Sequence, residues 1–144
     1  MEERPLISIY TQVYNTKQAD LRHCVESVLA QSYPNFEYFI LDNGITDGSA
    51  EILREYAQRD SRIQLTRIEP NIATWRGQET LRQIHGAYFT TVDSDDWWEA
   101  DYLERLLAFA IQNDLDIACT GNQFHYEANH MGGKRAPLLS LIHI

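Results

Sequence analysis

Apolar and polar residues fall along this chain in blocks whose period switches between that of a strand and that of a helix. Leu6-Ile7-Ser8-Ile9-Tyr10-Thr11-Gln12-Val13 is rich in β-branched and aromatic residues and runs into the polar Asn15-Thr16-Lys17, which predicts a buried strand ending near Val13. From Asp20 onward, Leu21, Cys24, Val25, Val28 and Leu29 recur at i, i+3, i+4, i+7 and i+8. That stripe predicts a helix with Asp20 as its N-cap, stopping before Pro34. Phe36 to Leu41 reads as a second strand, halted by Asp42-Asn43-Gly44, and Asp47 as the cap of a helix reaching about Arg59. Ile63 to Thr66 then predicts a short strand, Thr74 to Ile84 a helix, and Tyr88 to Val92 an uninterrupted strand preceded by Gly86. Asp101 followed by Glu104 has the spacing of a capping box, opening a helix with Leu103, Leu106, Leu107, Ala110 and Ile111 on one stripe. Asp116 to Thr120 predicts a fifth strand.

Continuous apolar strands that alternate with amphipathic helices imply an α/β fold, a three-layer, Rossmann-like, mostly parallel sheet with helices on both faces. Sheets of this kind bind ligands in the crevice beyond the carboxyl ends of their strands. The chemistry is therefore expected just after Val13, Leu41 and Val92. The length is that of one domain, with no internal repeat. The final run, Leu139-Ser140-Leu141-Ile142-His143-Ile144, has no turn signal and resembles a translated transposon-end adapter. It is expected to be a non-native tail on a native 1–138, a genuine short strand being the other reading.

Charge narrows the partners. Twelve Lys and Arg stand against 21 Asp and Glu, a net of −9, and no basic cluster is available to replace the counterions of a polyanion. Nucleic acid and anionic lipid surfaces are thereby disfavoured. No apolar stretch approaches the roughly 18 to 20 residues of a spanning helix, and Met1-Glu2-Glu3-Arg4-Pro5 lacks the basic start of a signal peptide. Cys24 and Cys119 both lie in apolar patterns and read as buried thiols of a reducing compartment, which makes the cytoplasm the expected location.

Asp93-Ser94-Asp95-Asp96 concentrates three carboxylates in four residues. Their mutual repulsion calls for a cation or strong donors, and Mg²⁺ or Mn²⁺ characteristically binds through one or two carboxylates together with substrate phosphates. The same run could serve as a solvated turn whose aspartates stabilise the next helix through its dipole, and spacing alone does not choose. Position adds weight to the cation. The run follows one central strand and Asp42-Asn43 follows another, so two acidic loops are expected to share one crevice, where a metal would screen an anionic nucleotide from a protein at −9.

At this level of detail the chain resembles the N-terminal part of a family 2 glycosyltransferase, an inverting enzyme of the glycosyltransferase A-type fold. The resemblance rests on Ile7-Ser8-Ile9 through Tyr14-Asn15, on Val25-Glu26-Ser27-Val28-Leu29-Ala30-Gln31-Ser32-Tyr33, on Leu41 through Ser49, and on Gly86-Ala87-Tyr88 leading to Asp93-Ser94-Asp95-Asp96. It implies that Gln12, Val13, Tyr14 and Asn15 border the nucleoside, although Gln12-Val13 stand where relatives carry Pro and then a small residue. It implies that Asp42 and Asn43 contact the base, Asn43 replacing a frequent aspartate and bringing a donor as well as an acceptor. Asp93-Ser94-Asp95 corresponds to the family's Asp-x-Asp, with Asp95 the direct ligand of Mn²⁺ or Mg²⁺ and Asp93 on ribose or metal-bound water. Arg76 corresponds to a diphosphate contact.

The resemblance further implies transfer of a sugar from a nucleoside-diphosphate sugar to the hydroxyl of a glycan, lipid-linked or other acceptor, in surface polysaccharide or glycan synthesis. Membrane association belongs, on this view, to the full-length protein. The general base of relatives lies well downstream of Asp-x-Asp; beyond Asp96, Glu127 is available by type but not by motif. The chain as it stands is expected to bind donor and metal but to turn over poorly. Two other classes compete: a catalytically silent nucleotide-binding module, and a metal-dependent nucleotidyltransferase. The second expects a glycine-rich, basic phosphate loop after the first strand, which Gln12-Val13-Tyr14-Asn15-Thr16 does not provide. Trp97 and Trp98 could stack on a sugar, with one of them expected to pack beneath the following helix. His23, His85, His125 and His130 have no partners at zinc-ligand spacing.

Overall fold

In a computed structural model, residues 4–68, 82–120 and 139–143 are described. The chain runs β1 (Ile7–Val13), α1 (Gln18–Leu29), β2 (Phe36–Asp42), α2 (Ser49–Arg59), β3 (Ile63–Arg67), β4 (Tyr88–Thr91), α3 (Tyr102–Gln112), β5 (Ile117–Thr120) and β6 (Leu139–His143). The strands form one sheet in the order β3-β2-β1-β4-β6-β5. β1 is parallel to β2 on one side and to β4 on the other, and β3 is parallel to β2. β6 lies antiparallel between β4 and β5. Sandwiched between two parallel neighbours, β1 is buried almost throughout, including the polar Ser8 and Thr11, so both of its faces are covered.

The pleat divides the core. Ile7, Ile9 and Val13 of β1 and Tyr38 and Ile40 of β2 share one cluster with Leu21, Val25 and Val28 of α1, Leu53 of α2 and Leu103 and Leu106 of α3. Tyr10, Phe39 and Leu41 point to the other face, packed by Ile68, Ile84 and Phe89. The helix expected at 74–84 lies mostly outside the described residues, and residues 82–84 form a turn and its exit.

Element ends depart from their expected caps. α1 begins at Gln18 after Lys17, so Asp20 sits inside the first turn, where it still complements the dipole. α2 begins after Gly48, whose φ of 89° suits glycine, while the Asp47 carboxylate accepts the Ser49 N–H at 3.0 Å. α3 follows Asp101, but no side-chain cap forms there. Asp101 pairs instead with Arg105, and Glu104 accepts from the Ser32 hydroxyl at 2.6 Å. Ile111 is 54% exposed rather than on the buried stripe, and Cys119, expected to be buried, is exposed on the outermost strand. Leu139–His143, expected as a tail, pairs as β6, with β4 on one side and β5 on the other.

Where β4 approaches β1, polar groups close the seam. The Ser8 hydroxyl donates to Glu37 at 2.6 Å and accepts the Gly86 N–H at 2.9 Å, and the His85 N–H donates to the same Glu37 carboxylate at 2.6 Å. Burial alone would raise the Glu37 carboxyl, but the bonds from Ser8 and from the backbone and ring of His85 outweigh it and hold the group below its ordinary value. A folded-state value below the unfolded one means stability that is fully present above about pH 4.3 and is lost as pH falls through the folded value. Glu37→Gln should therefore flatten the acid limb of a pH-stability curve measured by urea unfolding. A Cβ on Gly86 would lie 2.6 Å from the Ser8 backbone nitrogen and 2.8 Å from the Leu6 carbonyl oxygen. Gly86→Ala should cost about 2–3 kcal/mol in the same assay.

Candidate active site

Parallel alignment of β1, β2 and β4 delivers their carboxyl ends to one edge of the sheet, and hydrogen bonds then join the loops that leave it. The loop after β1 is the hub. Asn15, in the left-handed region with φ of 46°, donates from its amide to the Thr46 hydroxyl at 3.0 Å and accepts the Thr46 N–H at 2.9 Å. The Val13 carbonyl accepts the Asn43 N–H at 2.9 Å, and the Thr16 carbonyl accepts the Ser49 hydroxyl at 3.1 Å. On its other flank, the hydroxyls of Thr16 and Ser94 are 2.5 Å apart. The loops carrying Asp42-Asn43 and Asp93-Ser94-Asp95 are thus both attached to residues 13–16.

Within this rim the expected residues divide. Tyr14 and Asn15 are exposed and Gln12 is half-buried, with the Asn15 amide already bonded to Thr46. Val13 has its side chain wholly in the core, so it borders the rim through backbone alone. Asp42 is 3% exposed and engaged internally: one carboxylate oxygen accepts the Ile45 N–H at 2.8 Å, the other the Arg67 guanidinium at 3.0 Å. Asn43 is buried beside it. Arg76 and Glu127 lie outside the described residues.

Asp93, Asp95 and Asp96 are exposed, and no Lys or Arg among the described residues is paired with them. The Asp96 carboxyl is raised from its ordinary value by partial desolvation and then by the charges of Asp95 and Asp93. Hard oxygen donors, uncompensated negative charge and an accessible rim together suit a divalent cation whose remaining positions go to phosphate and water. Among the described residues, no three His, Cys, Asp or Glu side chains already converge as an all-protein cage. Cys24 is buried, its thiol pushed up to about 12 by burial, with further upward pressure from Asp96, Asp95 and Asp93, and it donates to the Asp93 carbonyl at 3.3 Å. Trp98 packs in the core, stacked on Tyr102 at 4.7 Å, and the half-buried Trp97 stacks on His23 at 4.9 Å. A groove of about 370 Å³ lies at the opposite end of β1, between Pro5, Tyr33 and Leu107, and brings no comparable chemistry together.

Arg67 is absent from the residues that motif and spacing single out. The parallel register aligns it with Asp42, and a basic residue at the end of a strand adjoining an acidic strand end was the available signal. Thr16 likewise lies outside the family-like blocks, and Ser27 and Gln31 lie within the block 25–33 without a role implied by it.

A mostly parallel, Rossmann-like sheet with a polar, acidic rim at its carboxyl edge defines the class, and comparison with known proteins agrees. The family described as Glycosyl transferase family 2 matches residues 8–136, and the chain belongs to that family. It is 36% identical over 119 residues to the putative teichuronic acid biosynthesis glycosyltransferase TuaG of Bacillus subtilis, across 82% of this chain and 47% of TuaG. The chain spans less than half the length of the curated relatives it matches. Among solved structures, the mannosyltransferase PcManGT of Pyrobaculum calidifontis, in complex with GDP-Man and Mn²⁺, superposes with a TM-score of 0.71 at 19% identity, covering 81% of this chain and 35% of that one. S. aureus TarS 1–349 with UDP-GlcNAc superposes with a TM-score of 0.69 at 23% identity, covering 77% and 32%. These two likenesses bear on the fold. Among the described residues, no helix is long and apolar enough to cross a membrane.

The Asp42–Arg67 pair is testable without any ligand. Because the guanidinium is 41% exposed, solvent screens the pair, and a double-mutant cycle of Asp42→Asn and Arg67→Met should return a coupling of about 1 kcal/mol in thermal or urea unfolding.

Proposed function

We propose that residues 1–138 are the donor-binding part of an inverting glycosyltransferase, which takes a sugar from a nucleoside-diphosphate sugar and passes it to the hydroxyl of a glycan, lipid-linked or other acceptor. The observation that carries this reading is the attachment of the Asp42-Asn43 and Asp93-Ser94-Asp95 loops to one hub, Val13 to Thr16, at the carboxyl edge of the sheet. Solubility needs no such convergence. A family member with exposed carboxylates at that rim has the means to hold a donor's diphosphate through a divalent ion.

On this reading Asp95 is the direct ligand, and Asp93 holds metal-bound water or ribose. Bound there, Mn²⁺ or Mg²⁺ supplies the electrostatic stabilisation that a departing diphosphate needs. Gln12, Tyr14 and Asn15 line the nucleoside side, with Val13 contributing backbone. Asn43 and the carboxylate of Asp42 shape the floor beneath the base, and the bond from the Ile45 N–H to Asp42 holds that turn. Arg67, by occupying the remaining Asp42 oxygen, keeps a buried carboxylate from facing the nucleotide's own negative charge. Arg76 is a diphosphate contact by family position. PcManGT with GDP-Man and Mn²⁺, TarS with UDP-GlcNAc, and TuaG, named a putative teichuronic acid biosynthesis glycosyltransferase, support a sugar donor, a divalent metal and a glycan-synthesis setting.

Isothermal titration calorimetry of the chain with UDP- and GDP-sugars, with and without Mn²⁺, tests the reading. Wild type should bind a donor only with metal, and Asp95→Asn should weaken that binding by about tenfold or more. Unchanged affinity in Asp95→Asn would remove Asp95 from the site; absence of metal-dependent binding to any nucleotide sugar would overturn the reading itself.

A further inference from the structure

The loop from Val92 to Asp101 contains no helix or strand, so its backbone donors and acceptors must find partners elsewhere. Many of them find α1 and the residues just after it. Cys24, Ser27 and Gln31 stand at i, i+3 and i+7, one line along the helix and its exit, beside the apolar stripe. The Cys24 thiol donates to the Asp93 carbonyl at 3.3 Å. The Ser27 hydroxyl accepts the Trp98 N–H at 3.1 Å while donating to the Cys24 carbonyl in its own helix at 2.7 Å. The Gln31 amide donates to the Glu99 carbonyl at 2.7 Å, and its oxygen accepts the Leu103 N–H at 3.0 Å. One residue on, the Ser32 N–H reaches the Ala100 carbonyl at 2.7 Å.

Two features give this line a direction. The contacts progress together, 24 to 32 on the helix side against 93 to 103 on the loop side, so the loop is laid along the helix rather than pinned at one point. Gln31 also supplies the N-terminal cap that Asp101 does not: Leu103 lies in the first turn of α3, where its N–H has no partner within the helix, and the acceptor comes from 72 residues away in sequence. The ring of His23, on the adjacent helix position, stacks on Trp97 and adds a flat contact to the same loop. None of these bonds involves the carboxylate of Asp93, Asp95 or Asp96.

We propose that Ser27 and Gln31, assisted by Cys24, are positioning residues for donor binding. They hold the backbone of residues 93–103 in the one path that presents the Asp93 and Asp95 carboxylates to the rim. This rests on reading that rim as the donor site. The α1 segment within the family resemblance thereby does two things, since its apolar residues build the core while its Ser and Gln set the acidic loop. Gln31 is 6% exposed, so an apolar residue of similar volume removes the bonds while keeping the packing.

The test uses the full chain with Gln31→Met, Ser27→Ala and Ser27→Thr. Threonine keeps a hydroxyl able to bond the carbonyl three residues back in a helix. Hydrogen exchange without ligand should show the amides of Trp98 and Leu103 exchanging about tenfold faster in Ser27→Ala and Gln31→Met respectively, with β1 and β2 as protected as in wild type. Calorimetry with UDP and GDP should show metal-dependent affinity falling about tenfold in Gln31→Met and Ser27→Ala, and restored in Ser27→Thr. Unchanged loop exchange and affinity in folded Gln31→Met would overturn the proposal, as would loss of protection spread evenly over loop, β1 and β2, which marks an ordinary fold residue. If Gln31→Met fails to fold, the two substitutions at the half-buried Ser27 decide by the same two measurements. Should wild type bind no nucleotide with Mn²⁺, that failure belongs to the donor-binding reading, and the exchange pattern alone then decides whether α1 holds the loop.

Discussion

A parallel strand flanked on both sides by parallel neighbours must release all three chains at the same edge, and β1 between β2 and β4 imposes that constraint here. Everything polar that matters at the rim follows from it. The loops at Val13, Asp42 and Val92 have no freedom to leave by different edges, and residues 13–16 sit between the other two, within hydrogen-bond reach of both. The apolar content of β1 and β2 is therefore also a statement about the site, because it is what seats those strands in the middle of the sheet.

Charge is then handled differently on the two sides of the hub. On the β2 side the carboxylate of Asp42 is buried and its oxygens are occupied by the Ile45 N–H and Arg67, so it acts as a strut. On the β4 side, Asp93, Asp95 and Asp96 face solvent without an ion pair among the described residues, and partial desolvation, together with its neighbours' charge, raises the Asp96 carboxyl. One acidic turn is structural and the other stays electrostatically unsatisfied. The proposed cation site rests on this asymmetry, which leaves the loop backbone to be held by groups other than the carboxylates. The polar line of α1 meets that requirement.

Much of this is legible in the residues. The continuous runs of β1 and β2, the stripe of α1 and the block order strand-helix-strand-helix are local signals, and the structure follows them closely. Family-like blocks at Tyr14-Asn15, Leu41 to Ser49 and Asp93 to Asp96 locate the rim. The departures share one physical origin. Asp101 and Glu104 have the spacing of a capping box, yet Arg105 and Ser32 take those side chains, and the cap arrives from Gln31. Cys119 has an apolar neighbourhood in sequence but lies on the outermost strand. The family resemblance puts Val13 and Asp42 at the nucleoside. It does not show that the Val13 side chain is in the core or that the Asp42 oxygens are bonded to the Ile45 N–H and Arg67.

Period and composition determined the elements, their order and the carboxyl edge where chemistry belongs, because backbone preferences and one-face burial are written residue by residue at short range. Only the tertiary structure decided which carboxylates are engaged internally and which are left to solvent, that Arg67 faces Asp42, and that Gln31 reaches Leu103. Those choices depend on contacts between residues tens of positions apart, and no local pattern encodes which of several suitable partners the folded chain brings within about 3 Å.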